Sequence, residues 1–450
     1  MKTFKIGGVH PAENKLSAAE PIKVAELPKV AVFPLSQHIG APAKAIVQKG
    51  DKVKVGTMIA EAGGFVSAPI FSSVSGTVLK VDTVIDASGY KKPAIYITVE
   101  GDEWEPSIDR STDLVTLKDR RELTADEIKE KIKNAGIVGM GGACFPTHVK
   151  LAPPPGSKPE WIIINAVECE PYLTADHRLM LEHADEILVG VTLLMKAMNV
   201  GKAYIGIENN KPDAIELMKS KTMKFIHDGD IEVVPLKVKY PQGGEKQLID
   251  AVVGRQVPAP PALPVSVGAI IQNVGTAFAV YEAVMKNKPL FERIVTVTGK
   301  SLAHPSNFLT RMGTPMSQLI DACGGLPEDT GKVIGGGPMM GKALLNTDVP
   351  ICKGSSGVLI MNEKEAKRGE VENCIRCGKC VGACPMGLEP YLLSQCAEQQ
   401  MWERLEKEDV VSCIECGSCQ FTCPANRPLL DYIRLGKSTV MGIIRSRNAK

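Results

Sequence analysis

This chain of 450 residues has no large excess of either charge: 53 basic residues stand against 51 acidic ones, for a formal net charge of +2. No global field points to nucleic acid or to an anionic lipid surface. The first eleven residues, MKTFKIGGVHP, have neither the basic nor the apolar segment of a secretory leader. A long apolar run is lacking too. The nearest, residues 265–285, carries Gln272, Asn273 and Glu282 and falls short of the ~18–20 apolar residues of a membrane helix. His177, His183 and His227 are not spaced as metal ligands and read as structural. These absences leave a soluble or peripheral protein, long enough for about three domains with buried cores.

Cysteine carries the strongest positive signal. Eight of the 13 cysteines form two copies of one run, C-x-x-C-x-x-C-x-x-x-C-P. The first copy is Cys374, Cys377, Cys380 and Cys384 before Pro385, and the second is Cys413, Cys416, Cys419 and Cys423 before Pro424. Thiolates are soft donors suited to iron, and two-residue gaps let three sulfurs wrap one cluster within a tight loop. Structural zinc more often uses a pair of C-x-x-C units than two triplets each trailed by C-P. The run resembles that of two-cluster bacterial ferredoxins, where the fourth cysteine serves the other cluster. The resemblance implies one [4Fe–4S] cluster on Cys374, Cys377, Cys380 and Cys423, and a second on Cys413, Cys416, Cys419 and Cys384. Clusters of this kind suit a reducing compartment. The other five, Cys144, Cys169, Cys323, Cys352 and Cys396, read as small buried packing residues.

Four domains are expected. Residues 1–115 have short β-rich runs punctuated by glycine and proline, and resemble the barrel-sandwich of biotinyl and lipoyl carriers. The lysine those carriers modify is absent from the Gly64-Phe65-Val66-Ser67 tip, which leaves a structural or docking role. Residues 116–291 alternate helix and strand patterns as an α/β domain does. Within them Thr124 and Glu127 form a capping box for a helix over residues 123–135, and Trp161 to Asn165 read as a short buried strand. Residues 292–362 resemble a β-grasp soluble-ligand-binding module. Residues 363–450 form the helical two-cluster domain, entered through a charged linker, with an amphipathic helix expected over residues 389–407.

A glycine-rich loop, Gly139-Met140-Gly141-Gly142-Ala143-Cys144-Phe145-Pro146, precedes that buried strand. Closely spaced glycines let backbone amides approach an anion without a Cβ clash. The loop is not the G-x-G-x-x-G of an ordinary dinucleotide fold, because no strand leads directly into it. After it come Asn165, Glu168 and Glu170-Pro171, then Gly243-Gly244-Glu245, then Gln272-Asn273. This order resembles the flavin subunit of respiratory complex I. The whole chain is similar to the C subunit of the Rnf electron-transport complexes.

That resemblance implies non-covalent FMN and NAD(H) as substrate. Gly139, Gly141, Gly142 and Lys150 would hold the flavin phosphate and ring edge, with Asn165, Glu168, Gln272 and Asn273 beside the flavin. Phe145 would lie against nicotinamide, and Gly243, Glu245 and Glu170 on the dinucleotide side. Val167 and Gly244 depart from the pattern, standing where the complex I subunit has an aspartate and a glutamate. Carboxylates accept hydrogen bonds from ribose hydroxyls and repel a 2′-phosphate, which favours NAD over NADP. The resemblance further implies an oxidoreductase subunit with no assigned catalytic acid or base. It would be peripheral on the cytoplasmic face of the bacterial cell membrane, bound to the Rnf membrane subunits and a ferredoxin-like cluster subunit. A corrinoid reductase of bacterial microcompartments, or a relay subunit without nucleotide turnover, would be built from the same parts.

Overall fold

Ile162, Ile163 and Ile164 are wholly buried in the strand Trp161–Asn165, the pattern of a parallel strand covered on both faces. In the computed structural model, which describes residues 1–119, 123–225 and 229–448, this strand is the pivot of a four-stranded parallel sheet. His227 lies outside the described residues. Across the sheet the order is Asp230–Leu236, Lys202–Glu208, Trp161–Asn165, Ala269–Asn273. The chain therefore builds outward from Trp161–Asn165 and then returns to its other side. Where strand order reverses in this way, a crevice opens beyond the carboxyl ends of the strands. Asn165 and Asn273 end the two strands and are register partners there.

Side chains alternate across the sheet. Ile162 and Ile164 join a core with the helices Ala125–Asn134, Ala184–Met198 and Val274–Met285, while Ile163 packs with Glu245–Val253 on the other face. Thr124 and Glu127 form the expected capping box. The helices Ala184–Met198 and Val274–Met285 approach so closely that a Cβ on Gly190 would collide with the Ala277 carbonyl.

The N-terminal barrel pairs two sheets. One orders Val30–Pro34, Lys91–Gly101, Ser75–Ile85 and Lys52–Val53, and the other Lys44–Ala45, Met58–Glu61 and Ile70–Phe71. Phe65 at the connecting tip is 73% exposed, and its carbonyl lies 3.3 Å from His148 Nε2, just past the glycine loop. The chain's first residues leave this barrel. Lys2 bridges to Leu236 at the edge of the parallel sheet, Val9 to Tyr240, and Ile22–Val24 joins the next domain's sheet beside Ser306–Arg311. That sheet has six strands, with Glu292–Thr298 and Gly357–Asn362 at its centre.

The last domain is helical. The single helix expected over residues 389–407 is two, Pro390–Glu398 and Trp402–Lys407. Gln400 takes a left-handed φ of 56° between them, and the break folds Leu405 back beside Leu393, Ala397 and Ile433 in one core. A continuous helix would carry Leu405 away from the long helix Leu429–Asn448. The charged linker begins as one helical turn, Glu363–Ala366, capped by the Asn362 side chain. Among the described residues no helix is long and apolar enough to cross a membrane.

Lys353 ties three of these units together. It is fully buried, and its Nζ donates to the carbonyls of Pro69 (2.6 Å) and Gly136 (2.7 Å). Burial lowers its pKa to about 7, against a weak opposing pull from Cys144. A neutral amine has two N–H donors, matched by the two carbonyls. Below pH 7 the folded and unfolded chains both carry the proton; between there and the unfolded value of 10.5 only the unfolded chain does. Raising the pH through that window favours the folded state, by up to about 1.4 kcal/mol per pH unit. Thermal unfolding from pH 7 to 9 should therefore show wild type gaining stability relative to Lys353→Met. A difference that stays flat across that range rules out a neutral Lys353.

Candidate functional site

The glycine loop lies over the crevice where the strand order reverses. Gly139 N–H donates to the Phe145 carbonyl at 2.9 Å and closes the loop on itself, while Met140 N–H donates to Thr276 Oγ1 at 2.9 Å. Gly141, Gly142 and Ala143 face solvent and Phe145 is half-buried. A Cβ on Gly141 would come within 2.8 Å of Asn273 Nδ2. The loop thus rests directly on the end of the strand Ala269–Asn273.

Asparagines join the strand ends. Asn273 Oδ1 caps the helix Val274–Met285 through Gly275 N–H (2.8 Å), and its Nδ2 donates to Asp176 Oδ2 (2.8 Å) and the Asn165 carbonyl (3.4 Å). Asn165 Nδ2 reaches the Gly243 carbonyl at 2.8 Å. Lys150 ends the short helix after the loop; its Nζ lies 2.8 Å from Glu245 Oε1 and donates to the Ile271 carbonyl at 3.2 Å. This half-exposed ion pair contributes little to stability and can be given up to a ligand phosphate at small cost.

Gln272 is 1% exposed, yet among the described residues neither its Oε1 nor its Nε2 has a hydrogen-bond partner. Alternation places it on the face of Ile270, which packs in the core that contains Val138, Met140 and Leu151 around the glycine loop. Buried amides are normally paired. An orphaned amide beneath a glycine loop fits a heterocycle with donors and acceptors on its edge, as flavin has. The cradle that a Cβ on Gly141 would fill fits it as well.

The segment after Asn165 is irregular and strained. Glu168 and Tyr172 hold left-handed φ values of 50° and 70°, and Cys144 in the glycine loop holds 55°. Such residues concentrate at functional sites. The Glu168 carboxylate accepts from Asp176 N (2.7 Å) and His177 N (3.1 Å), capping the helix Ala175–Glu182. Burial, then Glu168, pushes the Asp176 carboxyl upward. Glu170 does not join the glycine-loop group through its hydrogen bonds. Its carboxylate accepts from Met339 N (2.6 Å) and Met340 N (3.0 Å), and burial raises its pKa. Val167 is wholly buried in the apolar core with Ile163 and Leu248, and its carbonyl accepts from Lys211 Nζ at 2.8 Å.

The cysteine runs share one backbone. Arg376 and Glu415 are left-handed, Gly378 and Gly417 follow with positive φ, and short helices Lys379–Ala383 and Ser418–Phe421 begin next. Cys384 of the first run lines one partly open cavity with Cys413, Cys416 and Cys419 of the second. Burial raises the thiols of Cys413, Cys416 and Cys419, and Cys384 lies close enough to each to add to the rise. Cys423, conversely, neighbours Cys380 of the first run. Among the described residues no three such side chains meet at one metal-sized point. The thiols surround a volume, and an all-thiolate donor set around a volume fits an iron–sulfur cluster.

Tyr240 connects the two centres, and nothing in its sequence setting marks it. It is 2% exposed, its hydroxyl donates to the Cys416 carbonyl at 2.8 Å, and it packs in one cluster with Cys169 and Ala383. Lys15 and Asp176 are also invisible in the sequence, since their roles depend on contacts far along the chain.

With this geometry in place, comparison with known proteins gives the class. Family profiles match residues 132–282 to the Nuo51 FMN-binding domain, 2–102 to the RnfC barrel sandwich hybrid domain and 294–343 to the SLBB domain. Among solved structures, an NAD+-reducing [NiFe]-hydrogenase in the H2-reduced state is similar in fold. The TM-score is 0.51 at 18% identity, over 70% of this chain and 62% of that one. The C subunit of the proton-translocating ferredoxin:NAD(+) oxidoreductase complex of Clostridium ljungdahlii is 47% identical over 441 residues, 97% of this chain and 94% of that protein. The Na(+)-translocating counterpart of Acetobacterium woodii is 46% identical over 99% of both chains. The C subunit of the ion-translocating oxidoreductase complex of Rhodobacter capsulatus is 40% identical over 88% of this chain and 75% of its own. The chain belongs to this family, the C subunits of Rnf complexes.

The orphaned Gln272 amide separates stability from binding. Gln272→Met should stabilise the flavin-free protein by about 1–3 kcal/mol, because an unsatisfied buried amide is removed. It should also weaken FMN binding, read from the recovery of free-flavin fluorescence. Gly141→Val should lower flavin uptake with iron content unchanged. Wild-type FMN affinity in both folded variants would place the flavin elsewhere.

Proposed function

We propose that this chain is the nucleotide-facing electron-transfer subunit of a membrane-bound ferredoxin:NAD+ oxidoreductase, with FMN under the glycine loop and two [4Fe–4S] clusters on the cysteine runs. Membership of the Rnf family and the matched FMN-binding domain support the reading. The observation that carries it is the meeting of Gly141, Asn165 and Asn273 where strand order reverses, with Asn165 bonded to Gly243, three residues on from the Tyr240 whose hydroxyl donates to the Cys416 carbonyl.

Bound flavin exchanges a hydride with nicotinamide and single electrons with iron–sulfur clusters. The chain's own part is to bind, orient and exclude water. The amides of Gly141 and Gly142 and the Lys150 ammonium would receive the flavin phosphate, those of Gly139 and Met140 being bonded within the protein, and Gln272 and Asn165 would address the ring edge. Glu245, freed from Lys150, accepts from a ribose hydroxyl, and Phe145 offers a face to nicotinamide. Cys384, Cys413, Cys416 and Cys419 form the ligand set next to the flavin domain, joined to it by Tyr240. Cys374, Cys377, Cys380 and Cys423 form the outer set, and the exposure of Cys374 and Cys377 suits exchange with a partner. That partner is a ferredoxin-like cluster subunit, with the complex's membrane subunits holding this chain at the cytoplasmic face of the cell membrane.

Anaerobic reconstitution should give about eight iron and eight sulfide per chain. NADH should bleach the flavin, and in Glu245→Gln the preference for NADH over NADPH should narrow as a like charge is removed. In Cys374→Ser, NADH should still reduce one cluster by electron paramagnetic resonance. In Cys416→Ser the flavin should bleach while the remaining iron–sulfur signal stays oxidised. Zinc in place of iron, or flavin that NADH never reduces even with the membrane partners present, would leave the nucleotide role without support.

A further inference from the structure

The flavin-side segment, residues 166–174, belongs to no helix or strand, and its carbonyls need donors from elsewhere. Three of them converge on one atom. Lys15 Nζ donates to the carbonyls of Glu168 (2.8 Å), Glu170 (2.9 Å) and Leu173 (2.7 Å). An ammonium has three N–H donors and all three are used. The lysine comes from the N-terminal stretch, far from this segment in sequence. The same stretch adds the Glu13 carbonyl, which accepts from Tyr172 N at 2.8 Å, and Ser17 Oγ, 2.7 Å from Thr174 Oγ1.

The segment so held contains the two left-handed residues Glu168 and Tyr172. Such backbone strain persists only where the surroundings over-determine it. Without a cation at the focus of the three carbonyls, like dipoles would face one another and the curl would open. Glu168 is what that curl aims: its carboxylate caps the helix whose Asp176 holds Asn273 beneath the glycine loop. Burial lowers the pKa of Lys15, with Lys211 acting in the same direction and Glu168 and Glu208 opposing.

We infer that Lys15 is a positioning residue of the flavin site: its ammonium, bound by the carbonyls of Glu168, Glu170 and Leu173, curls the 166–174 segment into the shape that receives the flavin. The inference rests on the FMN assignment above for its functional half only. The clamp itself is a property of the chain. Lys15 also lines a small, partly open pocket with His10, Cys169, Glu208 and Tyr240, so truncating its side chain enlarges a space that a small amine can enter from solvent.

The test uses the full chain. In Lys15→Met, hydrogen exchange at amides 168–174 of the flavin-free protein should speed up while exchange in the helix Leu429–Asn448 and the iron content hold. FMN affinity should fall roughly tenfold or more, the scale of losing a charge-assisted hydrogen bond. In Lys15→Ala, propylammonium should restore both the slow exchange and the affinity, and propanol should restore neither. If Lys15→Met fails to fold, the amine-rescued Lys15→Ala protein decides. Unchanged exchange in the segment overturns the clamp; faster exchange with wild-type FMN affinity overturns the positioning role. If wild type takes up no FMN, the flavin assignment falls, and the exchange and rescue arms still decide the clamp.

Discussion

A nine-residue backbone stretch with no regular structure of its own must satisfy its polar groups among its neighbours, and this requirement organises the molecule. Segment 166–174 draws on every adjacent unit. Ala166 N–H donates to the Gly206 carbonyl inside the parallel sheet's domain, and the Val167 carbonyl accepts from Lys211. Carbonyls of Glu168, Glu170 and Leu173 accept from Lys15 of the N-terminal stretch, and Thr174 N–H donates to Thr296 of the six-stranded sheet. Glu170 reaches the amides of Met339 and Met340. An unpaired buried backbone group costs about as much as a lost hydrogen bond, so moving any one unit is felt in this segment. The site is thereby built from several domains, although its glycine loop and asparagines come from one.

Two lysines do the joining, and among the described residues neither has a carboxylate within hydrogen-bond reach. Lys15 meets three carbonyls and Lys353 two. Carbonyl acceptors bury no second charge, whereas an ion pair would bury a carboxylate as well and add its desolvation cost. Three acceptors match the three donors of an ammonium and two match those of a neutral amine, and burial lowers the pKa of Lys353 to about 7.

Elements that depend on local spacing are legible in the sequence, and those that depend on distant contacts are not. The capping box of Thr124 and Glu127, the strand Trp161–Asn165 and the repeated cysteine runs each declare themselves within a dozen residues. The order of glycine loop, asparagines and Gly243-Gly244-Glu245 points to one site, and contacts such as Asn165 with Gly243 and Lys150 with Glu245 join much of it. The break at Gln400 is hidden because the 389–407 pattern is helical on both sides of it; the packing of Leu405 against the last helix decides the bend. Lys15 and Tyr240 carry no local signal. Their partners are 153 and 176 residues away, and only the folded chain pairs them. Glu170 is legible as a site residue by motif, but its bonds to the Met339 turn depend on a domain whose docking the motif does not encode.

The cysteine runs show how the same local code acquires two roles. Both loops repeat cysteine, isoleucine, a left-handed residue, cysteine and glycine, so the ligand geometry each can offer is alike. Their surroundings differ. Ile375 is 68% exposed, and Cys374 and Cys377 are exposed, whereas Cys416 is buried against Tyr240. The left-handed position is Arg376 in one run and Glu415 in the other, and Glu415 is engaged by Arg434 (3.4 Å) and Lys437 (3.0 Å). Exposure, hydrogen bonding and nearby charge are the levers by which a protein tunes clusters of one type. With the two runs alike in local backbone, the packing of the last domain against the parallel-sheet domain is what buries one run and leaves the start of the other exposed. Cys384 of the first run lines a cavity with Cys413, Cys416 and Cys419 of the second, so on the proposed ligand sets neither could move without dragging a ligand from the other.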